Sequence, residues 1–362
     1  MRVDRLELMN ITVFQGADFD FSPGLNVLIG ANATGKSHVL KVLYSVTRTM
    51  AVTGPIVISN PNWGLGELLG RPISQKLETT FRPEPGQTTL LTSLVRHGTH
   101  NSNVVIGGDF GNVIIGFGRG VATTEIQNFT PPGDALAVFV PASEVISIYP
   151  GFVSAYERRE LSFDGTVRDL CVDLSANPLR SIASPVLEVL AAELDKEVGG
   201  KTVLRDGRFY VALSEDWLLE APMLAEGLRK LASIAHLIRN GSIEKGSVLF
   251  WDEPETNINP KLIPTVAQTL LGLAGAGVQV FVATHDYLLT NELSVVAEYG
   301  TPEAKAAKPR FFCLSRPKAL EPVQVEWGDT IADLPTNPIL EEFAAHYDRE
   351  QKLFAERQPS EE

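Results

Sequence analysis

The chain is 362 residues long, 44% hydrophobic and 21% charged, with a formal net charge of −13. That is enough apolar sequence for a large core in one elaborated domain or two, and it excludes a disordered chain; the acidic balance repels nucleic acid in general, so only a local basic patch would bind it. The two cysteines, Cys171 and Cys313, lack metal-like spacing and indicate a reduced compartment, and with no signal peptide and no apolar run of the roughly 18 residues a membrane span needs, a soluble, cytoplasmic chain with no membrane partner is expected.

From Arg2 to Met9, apolar Val3, Leu6 and Leu8 alternate with charged neighbours, the pattern of a half-buried strand. Asn10 to Gly16 turns the chain, Ala17 to Phe21 can return as a hairpin partner, and Pro23-Gly24 leads into a buried strand, Leu25–Ile29. Gly30-Ala31-Asn32-Ala33-Thr34-Gly35-Lys36-Ser37 follows, ahead of a helical segment, His38 to Val46. G-x-x-x-x-G-K-S between a strand and a helix is a phosphate-binding P-loop. Its glycines let the backbone close around phosphate oxygens, its N–H groups point into the concavity, and the helix dipole adds positive charge there. Gly30, Asn32, Thr34, Gly35, Lys36, Ser37 and His38 are therefore candidate contacts to a nucleoside triphosphate. Lys36 would reach its β- and γ-phosphates, and the Ser37 hydroxyl would complete the oxygen shell of a Mg²⁺ ion.

The N-terminal strand pair followed by GLNVLIGANATGKSHVLKVLYSV resembles the opening of SMC/RecF-like ABC-type ATPases. In that family the loop between the first strands lies near the nucleotide base, which makes Phe14 and Gln15 candidates for its wall; a packed aromatic in a turn is the plain alternative. Ala33 stands where many relatives have glycine. Further on, Pro55 to Gly70 reads as loop, and a short helix is expected around Ile73–Thr80. Thr89–Arg96, Asn103–Ile106 and Val113–Phe117 are short β-prone runs. They predict an antiparallel β layer, which the family places beside the P-loop sheet. The glycines of Gly107–Gly120 read as hairpin turns, because no helix with suitable lysine or threonine follows them. Ala135 to Pro141 is a buried-strand candidate leading into Ala142-Ser143-Glu144, where relatives place a nucleotide-sensing loop, often with glutamine. Ser143 or Glu144 would have to substitute, with a helix cap as the alternative. Tyr149 to Asp173 is mixed and charged. Ser181 to Val198 has helical spacing, with Ile182, Val186, Val189, Leu190 and Leu194 on one face. No heptad run supplies the coiled-coil arm of the large relatives. Gly199 to Leu213 reads as a hairpin turning at Asp206-Gly207.

LAEGLRKLASIAHLI occupies the place of the family's signature motif, a helix start that completes the nucleotide site of the opposite subunit. Glu226 and Gly227 are the candidate contacts across a dimer interface, by the logic of helix N-terminal amides aimed at a phosphate. The usual signature serine is Ala225; Arg229 or Lys230 is a candidate source of charge. In Ser247–Glu255 the four apolar residues Val248 to Trp251 then read as a strand buried on both faces, with Asp252 and Glu253 emerging at its carboxyl end. Asp252 would bind Mg²⁺, and Glu253 would orient or deprotonate the attacking water. Glu255-Thr256-Asn257-Ile258-Asn259-Pro260 resembles the family's dimer-contact loop, with Asn259 where many relatives have histidine. A helix over Lys261–Leu273 and a strand over Val278–Val282 lead to Ala283-Thr284-His285-Asp286. The family places one histidine at this strand end, where it senses the γ-phosphate, which makes His285 the second catalytic candidate. After a strand at Pro309–Leu314 comes polar material and a terminal helix, Pro338 to Arg357; the carboxylate-rich nuclease domain of OLD-type relatives does not fit in that space.

The expected fold is an α/β P-loop NTPase of ABC type, a mixed-sheet core with an antiparallel β layer and a helical lid. Residues 1–55 and 200–320 form the nucleotide-binding core, 56–140 a β-rich layer, 141–199 the lid and 321–362 a helical tail. The resemblance implies a slow, Mg²⁺-dependent ATPase that forms a head-to-tail homodimer around ATP. Three roles stay open: a switch controlling a separate nuclease or toxin-like effector in a bacterial defence system, a RecF-like repair protein clamping DNA, or an ATP-binding scaffold that barely hydrolyses.

Overall fold

The computed structural model describes residues 1–59, 65–82, 90–118, 121–133, 136–214, 216–316, 318 and 321–357. A six-stranded sheet at its centre has the order β14-β13-β3-β12-β11-β7. Its strands are β3 (Leu25–Ile29), β7 (Ala137–Val140), β11 (Val248–Asp252), β12 (Gln279–Thr284), β13 (Arg310–Ser315) and β14 (Gln324–Gly328). All neighbours are parallel except β14, which returns antiparallel along β13. Every residue of β3, β7, β11 and β12 is buried, which is why their apolar runs were continuous rather than alternating.

Against this sheet lies the antiparallel layer, ordered β2-β1-β4-β5-β6, with β1 (Val3–Ile11), β2 (Phe14–Asp20), β4 (Asn101–Gly108), β5 (Gly111–Gly118) and β6 (Val121–Gln127). The N-terminal hairpin is therefore part of the layer, through pairing of β1 with β4. One hydrophobic cluster fills the space between the layer and the central sheet, joining Leu6, Phe14 and Phe19 to Leu28, Phe250 and Phe312.

The P-loop helix α1 (Lys36–Ser59) crosses the same cluster, followed by α2 (Arg71–Phe81). The loop expected over Pro55–Gly70 is corrected at both ends: residues to Ser59 continue α1, and Gly66–Gly70 is a π-turn running into α2. Residues 60–64 of that expectation lie outside the described residues, as do Thr89, residues 119–120 and Ala135 of the β-run, hairpin and strand expectations. The β-prone run ending at Arg96 is also corrected, since Leu90–Leu94 is a 3-10 turn and only Val95 bridges to Ile11.

The other face of the sheet is covered by helices. They are α3 (Phe152–Glu157), α4 (Gly165–Leu174), α5 (Pro185–Val198), α6 (Glu226–Arg239), α7 (Ile263–Gly275), α8 (Tyr287–Glu298) and α9 (Pro302–Ala307). Asp164, Ser184 and Asp286 cap α4, α5 and α8 with side-chain oxygens. A small sheet, β8 (Lys201–Arg205), β9 (Arg208–Ala212) and β10 (Leu218–Glu220), precedes α6, and α10 (Pro338–Arg357) ends the described chain. Among the described residues no helix is long and apolar enough to cross a membrane.

Candidate functional site: a P-loop facing an acidic strand end

The register of three adjacent parallel strands builds the site. Ile29 pairs with Thr284 and Ala283 with Asp252, so the P-loop, His285 and the Asp252-Glu253 pair leave the sheet at the same edge. This is the carboxyl edge, where open α/β sheets hold ligands. Gly30 is required by close approach, because a Cβ there would lie 2.4 Å from the Leu314 carbonyl oxygen. Gly35 has φ +93° and presses on the Phe14 ring. Phe14 is fully buried beneath the loop, so its candidacy for the base wall is corrected to that of a core residue. Gln15 is exposed at the start of β2.

Lys36 is buried and its Nζ donates to the carbonyls of Gly30 at 2.7 Å and Ala31 at 3.0 Å. Burial lowers its pKa, against the pull of the Glu253, Asp252 and Glu255 carboxylates. Thr34 Oγ1 closes the loop on Ala31 O at 2.9 Å, while Asn32 is exposed at its tip. The His38 ring is engaged outside the loop, 3.0 Å from Thr12 Oγ1 and beside Phe81; burial, then the Lys41 charge, lowers its pKa. A cavity of about 330 Å³ borders the loop, lined by Ala31 to Thr34 and by Leu314, Ser315 and Arg316.

Ser37 Oγ donates to Asp252 Oδ1 at 3.0 Å. These are hard oxygen donors of the kind Mg²⁺ takes together with substrate phosphates and water. Burial raises the Asp252 pKa, and the hydrogen bond from Ser37 opposes it.

Glu253 has φ +47°, a strained conformation for a non-glycine residue. Its N–H donates to Ala283 O at 2.8 Å, and its Oε2 accepts from Thr256 Oγ1 at 3.2 Å. Its Oε1 lies 3.2 Å from His285 Nδ1. Both side chains stay partly open, 28% exposed for Glu253 and 44% for His285, so an incoming phosphate and water can reach them.

The signature-like residues make their contacts with the loop after β11 and with Glu144. Ala225 stands at the N-cap of α6 without a side-chain cap bond. Glu226 Oε1 accepts from Asn257 Nδ2 at 2.9 Å, and a Cβ on Gly227 would lie 3.0 Å from Asn257 O. Asn259, in the expected dimer-contact loop, accepts from Lys261 N at 3.0 Å and caps a 3-10 turn. Arg229 Nε lies 3.0 Å from Glu144 Oε1, and Glu144 also accepts from Ser147 N at 3.1 Å. Glu144 thus holds the turn that precedes α3 and ties it to the signature-like helix, with no helix for it to cap, whereas Ser143 is exposed.

Two residues that the sequence named take other parts in the site. Lys230, 1% exposed, donates from Nζ to Thr256 O at 2.7 Å and lies 3.4 Å from Glu253 O, so α6 holds the acidic loop. Burial lowers its pKa. Glu255, 8% exposed, turns to Thr284.

The family described as "AAA domain, putative AbiEii toxin, Type IV TA system" matches residues 173–291. The DNA replication and repair protein RecF of Lacticaseibacillus casei is 48% identical over 44 residues, 12% of each chain. That of Streptococcus uberis is 43% identical over 49 residues, 14% of each. The chain thus spans about an eighth of the length of the curated relatives it matches. An SMC head crystallised with the C-winged helix domain of ScpA superposes with a TM-score of 0.51 at 12% identity, covering 91% of this chain and 98% of that one. At that identity the likeness is one of fold. In fold the chain is thus similar to an SMC head, a mixed α/β P-loop ATPase architecture, and its segments resemble the AbiEii-type AAA family and RecF over the stretches given.

Proposed function

We propose that the chain is a Mg²⁺-dependent ATPase switch that closes as a head-to-tail homodimer around ATP and governs a separate effector protein. The observation that carries this reading is the convergence of the P-loop, the Ser37–Asp252 pair and the Glu253–His285 pair on one sheet edge. The start of α6 makes its contacts with the Asn257 loop instead. One chain then holds two half-sites, and a second copy completes each. Lys36 and the loop amides bind the phosphates, Glu253 orients or deprotonates the attacking water, and His285 reads the γ-phosphate. Ser37 and Asp252 would hold Mg²⁺, which supplies charge neutralisation on the phosphate oxygens. The effector, a nuclease or toxin-like protein in a bacterial defence system, is supported by the description of the family matching residues 173–291. A DNA clamp is the second reading, favoured by the short RecF-like segments.

The test is the size of the Glu253→Gln variant in solution. With ATP and Mg²⁺ it is expected to be a dimer and without nucleotide a monomer, with hydrolysis reduced by about 100-fold or more. A size independent of nucleotide, together with hydrolysis at the wild-type rate, would sink the switch.

A further inference from the structure

Glu255 leaves β11 three residues after the Asp252 end, yet its carboxylate faces the neighbouring strand. Oε1 accepts from Thr284 Oγ1 at 2.6 Å and from the His285 N–H at 3.3 Å, and lies 3.9 Å from His285 Nδ1. Thr284 Oγ1 in turn accepts from Asp286 N at 3.0 Å, and Asp286 Oδ1 caps α8 by accepting from Leu289 N at 2.7 Å. One carboxylate therefore fixes the main-chain turn that carries His285. On the opposite side, the loop bearing Glu255 also carries Glu253, held by Thr256 Oγ1 and by Lys230 through its carbonyls.

Burying a carboxylate costs several kcal/mol unless its partners are good. Glu255 is 92% removed from solvent, going by its 8% exposure, and its Oε2 has no hydrogen-bond partner among the described residues. Packing alone does not account for an acid here, since an apolar side chain would fill the same space without that cost. What the carboxylate does, and an apolar group cannot, is bind two donors of the next strand. Glu253 meanwhile sits in a strained backbone conformation, φ +47°, which persists only where the surroundings over-determine it.

We propose that Glu255 is a positioning residue: by clamping Thr284 and the His285 main chain to the acidic loop, it sets the 3.2 Å approach of His285 Nδ1 to the Glu253 carboxylate. A displacement of His285 by the γ-phosphate is thereby passed to the group that handles the water. This rests on the hydrolytic reading of the site given above.

The experiment measures ATP affinity at equilibrium, steady-state kcat and KM, and the melting temperature for wild type, Glu255→Ala, Glu255→Gln and Glu253→Gln. Glu255→Ala is expected to lose about 10- to 100-fold in kcat, the size seen for supporting groups behind a reacting centre, with ATP affinity within about threefold of wild type. Glu255→Gln keeps an acceptor oxygen for Thr284 and restores most of that rate. Thr284→Val, close in volume, cuts the clamp from the other strand and gives a loss like that of Glu255→Ala; it decides the matter if Glu255→Ala does not fold. A kcat within about twofold of wild type in Glu255→Ala or Thr284→Val, with Glu253→Gln inactive, overturns the positioning role alone. Loss of affinity and rate together, unrescued by glutamine, overturns it too. Wild-type hydrolysis by Glu253→Gln overturns the hydrolytic reading and this inference with it.

Discussion

Ala33 at φ +64°, Glu253 at φ +47° and Asn257 at φ +60° are non-glycine residues of the P-loop and the acidic loop with positive φ. Asparagine tolerates this region, whereas alanine and glutamate are disfavoured there by about 1–2 kcal/mol. Ala33 carries no side-chain chemistry that would require the strain, and its conformation gives a physical reason for glycine at the same place in relatives. Ala33→Gly removes the Cβ clash and adds backbone entropy to the unfolded chain, opposing effects of about 1–2 and 0.5–1 kcal/mol. The expected outcome is a chain more stable by up to about 1 kcal/mol, read as a higher denaturant midpoint at unchanged slope, with ATP affinity little altered. A lower midpoint would show that the loop conformation is not what limits this position. Glu253 differs, since its strain comes with a hydrogen bond from its N–H to Ala283 and a side chain aimed at His285.

Between elements, the P-loop helix is joined to α4 by a row of polar contacts. Lys41, Tyr44 and Arg48 share one face of α1 and meet Asp164, Asp169 and Asp173, each at 2.7 Å. Arg48 also donates to Ala137 O at 2.9 Å, and Lys76 of α2 joins Asp169. The end of α4 is held in turn by α6 and the residue after it: His236 Nε2 donates to Leu174 O at 3.0 Å and Asn240 Nδ2 to Asp173 O at 2.8 Å. The helix under the P-loop and the signature-like helix thus share α4 as a common support. Burial raises the Asp173 pKa, and Arg48 opposes it. Arg48→Met leaves that acid buried without its cation, and is expected to cost about 3–5 kcal/mol in chemical unfolding; adding Asp173→Leu should recover most of the loss. If the double variant is no more stable than the single one, the pair is not the source of the loss.

This row also shows where the sequence stops being readable. Tyr149 to Asp173 looked mixed and charged because Asp164, Asp169 and Asp173 resemble a solvated face, and a single sequence does not distinguish an acid paired in the interior from one in water. The burial of Glu255 against Thr284 escaped for the same reason, and Lys230, a candidate source of charge, instead holds the carbonyls of the acidic loop. Thr92 to Val95 has β-prone residues, but the chain uses them to close a turn against Ile11, a tertiary choice that outweighs propensity. The strands β3, β11 and β12 were legible because burial on both faces leaves continuous apolar runs, each ended by chemistry-bearing residues. Motif order pointed to the fold, while the contacts that tie His285 to Glu253 emerged only from the packing of neighbouring strands.

For the whole molecule, charge separates the two readings of what the switch controls. Each copy carries −13, so two copies repel at long range, and salt screens that repulsion over a Debye length of about 10 Å at 0.1 M. ATP-dependent dimerisation of Glu253→Gln is therefore expected to strengthen as salt rises from about 20 to 200 mM, a change that sedimentation at fixed protein concentration will show. DNA clamping has the opposite sign. Releasing counterions from 6–10 phosphates weakens binding by about 10³–10⁵ between 50 and 200 mM salt. Fluorescence anisotropy of labelled duplex DNA, taken over the same salt series with ATP and Mg²⁺, measures that slope directly. Dimerisation that tightens with salt and no anisotropy change place the function in a protein partner of the closed form. A steep fall in duplex affinity, carried by the ATP-bound dimer alone, would mean that closure builds a basic surface despite the net charge, and the DNA-clamp reading would then replace the effector switch.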